Sequence, residues 1–316
     1  MKLSIVTTLY QSEQYIEDFH RRISAVAKKL VADSFEIIFV NDGSPDRSLS
    51  LAIELTRIDP RVKVVDLSRN FGHHQAMMTG LSYARGEKIF LVDSDLEEDP
   101  ELLQGFFEKI SDVAVDVVYG VQLSRRGNLL EKLTGWAFYK IFRLVTGVAQ
   151  PDNVVTARLM SRRYVDALLL HKEREINIGG LWIITGFAQI MVPVEKRSNS
   201  PTTYSLSKKF SHLVNAITSF SSMPLVVTFY SGLLTVTLSL AFSAWLVFNY
   251  FFHQAVPDGY TSLIVSIWFL AGVMILFLGI QGIYIAKIFF EVKQRPLTIV
   301  KEVHQLRAVE NKKVEK

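Results

Sequence analysis

Residues 90–100 read FLVDSDLEEDP, an apolar run that delivers Asp93 and Asp95 into a crowd with Glu97, Glu98 and Asp99. Carboxylates this close repel one another, and the crowding is costly unless a cation compensates it. A D-x-D at a strand end puts one carboxylate on each face of the turn. Both reach a hard divalent cation, and Mg²⁺ characteristically takes one or two carboxylates together with substrate phosphates. The diphosphate of a nucleotide sugar is the natural partner of such an ion. A plainer reading also fits, since acids at the start of a helix suit its dipole. Two further clusters follow apolar runs. One is Asn41-Asp42-Gly43-Ser44-Pro45-Asp46, which is also a good turn sequence; the other is Ser68-Arg69-Asn70-Phe71-Gly72-His73. His73 and His74 suggest a metal pair, but adjacent helical side chains diverge. They read instead as the entry to a helix near the donor diphosphate.

The elements that must position these residues alternate along the chain. Strands are predicted at Lys2–Leu9, Phe35–Asn41, Val62–Leu67, Lys88–Asp93 and Val115–Val121, with helices near Glu13–Ala32, Ser48–Ile58, His73–Arg85 and Pro100–Ile110. Near-continuous apolar strands separated by helices predict an α/β fold with a mostly parallel sheet covered on both faces. Ligands of such sheets bind outside the carboxyl ends of the strands. All three polar clusters fall on that edge, which favours a shared site over three separate turns.

The chain has no cysteine, which excludes disulfides and thiolate metal sites. The apolar run of its first residues is too short for a secretory signal and leads straight into a strand. From Phe210 to Pro257, and again from Gly259 to Ala286, there is no Asp, Glu, Lys or Arg. Each window exceeds the ~20 residues a membrane-spanning helix needs. Spans are predicted at about Leu225–Phe252 and Leu263–Ile285, the alternative being two buried core helices. The joining loop, His253–Tyr260, has no Lys or Arg, whereas Lys208, Lys209, Lys287, Lys293 and Arg295 flank the pair. Both termini and the first 209 residues are therefore expected on the cytoplasmic side of a multi-pass protein of the inner membrane. The tail from Lys287 holds eight basic and four acidic residues, 8 − 4 = +4, equal to the net charge of the whole chain. It suits anionic lipid head groups, or simply solvent. The expected organisation is a cytosolic domain over 1–205, an amphipathic segment over 206–223, two transmembrane helices over 224–286 and a basic tail over 287–316. Residues 128–145 carry apolar residues at helical spacing around Lys132, Lys140 and Arg143, which suits either an interfacial or a core-facing helix. Nothing in the sequence resembles a nucleic-acid-binding pattern. A homo-oligomer is left open.

NDGSPD, RNFGHHQAMMTGLSYARGE and LVDSDLEEDPE together resemble glycosyltransferase family 2 with a GT-A (Rossmann-like) fold, and more closely its polyprenyl-phosphate glycosyltransferases. RLMSRRYVDAL, the two apolar windows and GIYIAKIFFEVKQRP continue the similarity, which covers roughly residues 1–297. The resemblance implies a transferase that moves a sugar from a nucleotide-diphosphate donor to a polyprenyl phosphate. It places Asp42 on the nucleobase or ribose, Asp93 on the ribose or diphosphate side, and Asp95 on Mg²⁺ or Mn²⁺. Arg69, Asn70 and Gly72 shape the loop beside the donor, with Thr8, Tyr10 and Ser94 completing the donor set. Glu97 stands where the family usually has Gln. Thr156 stands at the family's catalytic Asp, with Asp152 nearby as a shifted alternative. The family's flexible Gly-x-Ser-Lys-Tyr loop reads SPTTY, so Thr202 and Tyr204 belong to the expected lid, with Lys196 and Arg197 upstream. Arg125, Arg126, Arg158, Arg162 and Arg163 are candidates to hold the acceptor phosphate. A processive polysaccharide synthase is disfavoured by the lack of a Gln-x-x-Arg-Trp motif and by the few spans. A non-catalytic membrane scaffold is the reading from a different class.

Overall fold

The computed structural model describes residues 1–112, 115–122, 153–173, 176–195, 221–253 and 259–306, with the isolated positions 140, 214, 217 and 218. Asp152, Arg125, Arg126, Lys196, Arg197, Thr202 and Tyr204 lie outside the described residues, as does most of the segments 128–145 and 206–220. In chain order the elements are β1 (Leu3–Leu9), α1 (Ile16–Val31), β2 (Phe35–Asn41), α2 (Ser48–Ile58), β3 (Val62–Leu67), α3 (His73–Tyr83), β4 (Lys88–Leu91), α4 (Leu102–Asp112), β5 (Val117–Gln122) and β6 (Val154–Ser161). They continue with α5 (Arg162–Leu168), α6 (Ile178–Ile184), β7 (Gln189–Val194), α7 (Met223–His253), α8 (Tyr260–Val292) and β8 (Val300–Gln305). They fall into two compact units, one holding β1 to β7 together with β8, the other α7 and α8.

The eight strands form one sheet in the order β7-β5-β6-β4-β1-β2-β3-β8. β1 pairs in parallel with β2 on one side and β4 on the other, and β2 in parallel with β3. The chain therefore crosses over β1 between β3 and β4, and the strand order reverses there. Such a switch point opens a crevice at the carboxyl edge of the sheet. β6 runs antiparallel between β4 and β5, so the sheet is mixed on that side.

Alternation along the strands feeds two cores. On β1, Leu3, Ile5 and Leu9 join Phe19, Ile23 and Ala27 of α1 under one face, while Val6 joins Met77, Met78 and Leu81 of α3 under the other. Phe19 meets Phe39 edge-to-face at 6.0 Å between ring centres. Each fully buried Phe contributes about 1.5–3 kcal/mol. Two charged side chains inside this sheet pair with each other: Lys63 Nζ lies 3.3 Å from Glu36 Oε2, both buried.

The stretch beyond Lys287, read as a basic tail, returns to the sheet. Val300–Gln305 forms β8, antiparallel to β3, with Leu297 and Val300 packed on the second core. Ser68 N–H donates to Ile299 O (2.9 Å), and the hydroxyls of Thr298 and Thr79 are 2.7 Å apart. The strand is short and carries only two apolar residues, Val300 and Val303, among charged and polar ones, so its sequence resembles a solvated tail.

Both long apolar helices form, as α7 and α8, and within this unit the Tyr284 hydroxyl donates to Ser221 O (2.5 Å). Among the described residues one stretch, Phe269–Val292, is long and apolar enough to cross a membrane, with a mean hydropathy of 2.1; Met223–Thr235 is apolar but shorter.

Candidate functional site

A cavity of ≈ 340 Å³ opens at the carboxyl edge, lined by Thr8, Tyr10, Ser12, Asp42, Asn70, His73, Asp93, Ser94 and Asp95. The sequence places six of these on the donor and Asp95 on the metal. Ser12 and His73 complete the wall, His73 being the helix entry that the sequence places near the donor diphosphate.

The loops are tied together before any ligand arrives. Asp42 directly follows β2 and is buried. Its two carboxylate oxygens accept the N–H groups of Phe71 (2.7 Å) and Gly72 (3.0 Å), which fastens the β3–α3 loop to the end of β2. Burial pushes the Asp42 pKa up against the pull of those amides. Arg69 does not line the cavity. Its guanidinium stacks 4.0 Å from the Phe71 ring centre and donates to Asn70 O (2.8 Å), so it shapes the loop that presents Asn70. Across the switch point, the buried Ser94 hydroxyl donates to Thr8 O (2.9 Å) and Ser12 Oγ (3.1 Å), tying the end of β4 to that of β1. His73 bridges the same gap, with Nδ1 3.0 Å from Thr8 Oγ1 and Nε2 3.3 Å from Asp93 Oδ1. Burial lowers the His73 pKa, but Asp93, with Asp42 and Asp95 behind it, outweighs burial and raises it.

The five crowded acids part ways. Asp93 and Asp95 reach the cavity. Asp95 Oδ1 accepts the Glu97 N–H (2.9 Å) across a turn in which Leu96 takes a left-handed φ of +57°. Such a backbone is costly for a branched residue, and such strain concentrates at functional sites. Asp99 pairs with Arg22 (2.8 Å), which also holds Glu101. Glu98 is buried and accepts the backbone N–H groups of Thr156 (2.9 Å) and Ala157 (2.6 Å). Among the described residues no group of three or more His, Asp or Glu is arranged to hold a metal ion. Two carboxylates in a phosphate-sized cavity fit a cation that takes its remaining ligands from a diphosphate and water.

The arginines of ARLMSRR depart from expectation. Arg158 is not on a surface able to grip an acceptor. It sits on β6 inside the sheet, 1% exposed, 2.8 Å from the Trp182 ring centre, and donates to Thr156 O (3.3 Å). Burial lowers its pKa to about 9. Arg162 donates to Ala84 O and Gly86 O (both 2.8 Å), and Arg163 pairs with the buried Asp116 (2.5 Å). All three hold the fold together around β6. Sequence could not separate these roles from surface solvation.

The β2–α2 loop carries a pH dependence. Burial pushes Asp46 up, but the Ser44 and Ser48 hydroxyls and the Ser48 and Glu13 amides hold it at about 2, against an ordinary value of 3.8. Its stabilising contribution is present above pH 3.8 and is lost as pH falls through 2. Asp116, held down by Arg163, and Asp59, held down by Arg61 against burial, act in the same sense, while Asp42 opposes them. The thermal midpoint of the full chain in detergent is expected to fall from pH 4 to pH 2. In Asp46→Asn that part of the slope should flatten; an unchanged slope would contradict this account.

The profile of glycosyl transferase family 2 matches residues 4–169, which span the cavity and the first six strands. A Mycobacterium tuberculosis protein named "Putative glycosyltransferases" is 47% identical over 304 residues, covering 96% of this chain and 89% of its own length. The "Uncharacterized glycosyltransferase YkcC" of Bacillus subtilis is 34% identical, covering 99% of this chain and 97% of its own. The "SfII prophage-derived bactoprenol glucosyl transferase" of Shigella flexneri is 33% identical, covering 96% of this chain and 99% of its own. A GT-A-like α/β sheet with its acids gathered at a switch point, matched along nearly its whole length by these relatives, belongs to glycosyl transferase family 2.

Proposed function

We propose that the chain moves one sugar from a nucleotide-diphosphate sugar to a polyprenyl phosphate at the cytoplasmic face of a membrane. The observation that carries this reading is the cavity at the switch point, where Asp42, Asn70, Asp93 and Asp95 converge in a chain whose full-length relatives include a bactoprenol glucosyl transferase. Helices α7 and α8 would both span the bilayer, leaving both termini in the cytoplasm. Arg125, Arg126, Lys196, Arg197, Thr202 and Tyr204 are the candidates to hold the acceptor phosphate or close over the donor.

In this mechanism Asp42 and Asn70 hold the nucleoside side of the donor, and Asp93 and His73 hold the ribose or diphosphate. Asp95, with the diphosphate, would hold Mg²⁺ or Mn²⁺, which as a Lewis acid stabilises charge on the leaving nucleotide diphosphate. A lipid monophosphate is already ionised near pH 7, with a second pKa of about 6 by analogy with phosphoserine. It attacks the anomeric carbon directly, with inversion, and needs no general base. Thr156 then serves as a hydrogen-bond donor to a phosphate oxygen. Thr156→Val removes that donor at similar size and is expected to cost roughly 1–3 kcal/mol, about a tenfold to hundredfold loss in rate. Asp152→Asn is the comparison. If it costs about a thousandfold with donor binding intact, Asp152 is a base and the base-free mechanism fails.

The test of the whole reading is a panel of radiolabelled nucleotide sugars incubated with the chain and undecaprenyl phosphate. Label passing into an organic-extractable, mild-acid-labile lipid is the expected result. Polymer would identify a processive synthase, and no product from any donor would identify a scaffold.

A further inference from the structure

Tyr119 of β5 pairs with Arg158 of β6, yet Val121 pairs with Val154. Gly120 alone therefore stands opposite Val155, Thr156 and Ala157, so β6 bulges there. Bulges re-aim side chains and are enriched next to active sites. Room for this one comes from Gly120, where an added Cβ would lie 2.6 Å from Val155 Cγ2. On the other edge, β4 pairs with β6 as far as Leu91–Arg158. Beyond that point the side chain of Glu98 takes over. Successive N–H groups of a regular strand point to opposite edges, so two neighbours do not share one acceptor. Here the two oxygens of Glu98 take the N–H groups of both Thr156 (2.9 Å) and Ala157 (2.6 Å). The carboxylate is 1% exposed, and these charge-assisted bonds offset its burial. Glu98 lies three residues after Asp95, on the far side of the left-handed Leu96 turn. One side chain thus joins the turn carrying Asp93 and Asp95 to the bulge carrying Thr156.

We infer that Glu98 is a positioning residue for sugar transfer: it locks the Asp93–Asp95 turn to the β6 bulge and so sets Thr156 relative to the donor. This rests on the transfer reaction proposed above. Glu98 acts through geometry, and a misplacement of about 1 Å near the reacting atoms can cost about a hundredfold in rate.

The experiment is Glu98→Gln in the full-length chain. Its amide offers one acceptor oxygen and turns an N–H donor toward the second backbone N–H. The Thr156 and Ala157 amides are expected to exchange hydrogen at least about tenfold faster, and kcat to fall about tenfold to hundredfold, with the donor KM within about threefold of the parent. Glu98→Asp keeps the charge and should regain part of the rate. Gly120→Ala presses on the bulge through Val155 and should repeat the loss in kcat, again with the donor KM within about threefold of the parent. A parental kcat in Glu98→Gln overturns the inference. So does a rise in KM as large as the loss in kcat, or a lowered thermal midpoint with kcat unchanged in the folded fraction. If the parent transfers no sugar with any donor, the proposed function fails and amide exchange alone decides. Unchanged protection of Thr156 and Ala157 in Glu98→Gln then overturns the lock, and faster exchange upholds it.

Discussion

Asp95→Asn is expected to lower sugar transfer about 10²–10³-fold, the loss typical when one electrostatic contact to developing charge is removed. The substitution is close to isosteric. Its amide oxygen can still accept the Glu97 N–H, the bond that holds the turn at 2.9 Å. What disappears is a unit of negative charge facing the cavity. The Asp93 carboxylate next to it already faces His73, at 3.3 Å, and does not restore the lost charge. The thermal midpoint should therefore stay close to that of the parent, because the hydrogen bond that holds the turn is kept, while Mn²⁺-dependent nucleotide binding weakens. Steady-state transfer and calorimetry on one preparation separate the two effects. Excess chelator applied to the parent should reproduce the loss. Full activity of the variant, or of the parent in chelator, would remove the metal from the mechanism.

Gly43→Ala is expected to be as damaging for a different reason. Gly43 has φ +61°, and an added Cβ would lie 2.5 Å from Asn70 N and 2.7 Å from Arg69 C. Both neighbours are backbone, so no side chain can swing aside. The left-handed conformation costs an alanine about 1–2 kcal/mol, and overpacking adds about 1–3 kcal/mol. Relief comes only by displacing the Arg69–Gly72 loop, which would pull the Phe71 and Gly72 amides off Asp42. Nucleotide affinity should fall about a hundredfold, the equivalent of about 3 kcal/mol. Titration calorimetry with the donor nucleotide, at a temperature where the variant is folded, measures it. Parental affinity would mean that the loop reaches its place without Gly43.

The parts of the fold that were legible share a cause. β2, β3 and α2 begin and end where their apolar patterns do, and the polar clusters behind them meet because parallel strands end on one edge. The α3 helix ends at Tyr83 rather than Arg85, and β4 at Leu91 rather than Asp93, each two residues short at a frayed end. Three features were hidden. Glu98 reads as one more acid in a crowd, since nothing local says that its partners are amides nearly sixty residues away. Arg158 reads as a phosphate-binding cation because a cation seldom enters a sheet, and the Trp182 ring and the Thr156 carbonyl that hold it there leave no mark in the local pattern. The strand β8 is hidden because VKEVHQ offers two valines among charged neighbours and depends on the edge of β3 for its existence.

That last strand has a consequence for the newborn chain. β3 ends at Leu67 and its outer partner begins at Val300, 300 − 67 = 233 residues later. At roughly 5–20 residues per second, β3 waits roughly 10–50 s for its neighbour. During that interval its outer edge offers unpaired N–H and C=O groups to any other strand nearby. Helix α8 leaves the ribosome before β8 does, so the fate of that helix is decided first and the sheet is closed afterwards. A ribosome that stalls or stops within α8 releases a chain with an open edge beside its donor loop. The finished sheet thus certifies that the chain has been made as far as Gln305, both apolar helices included.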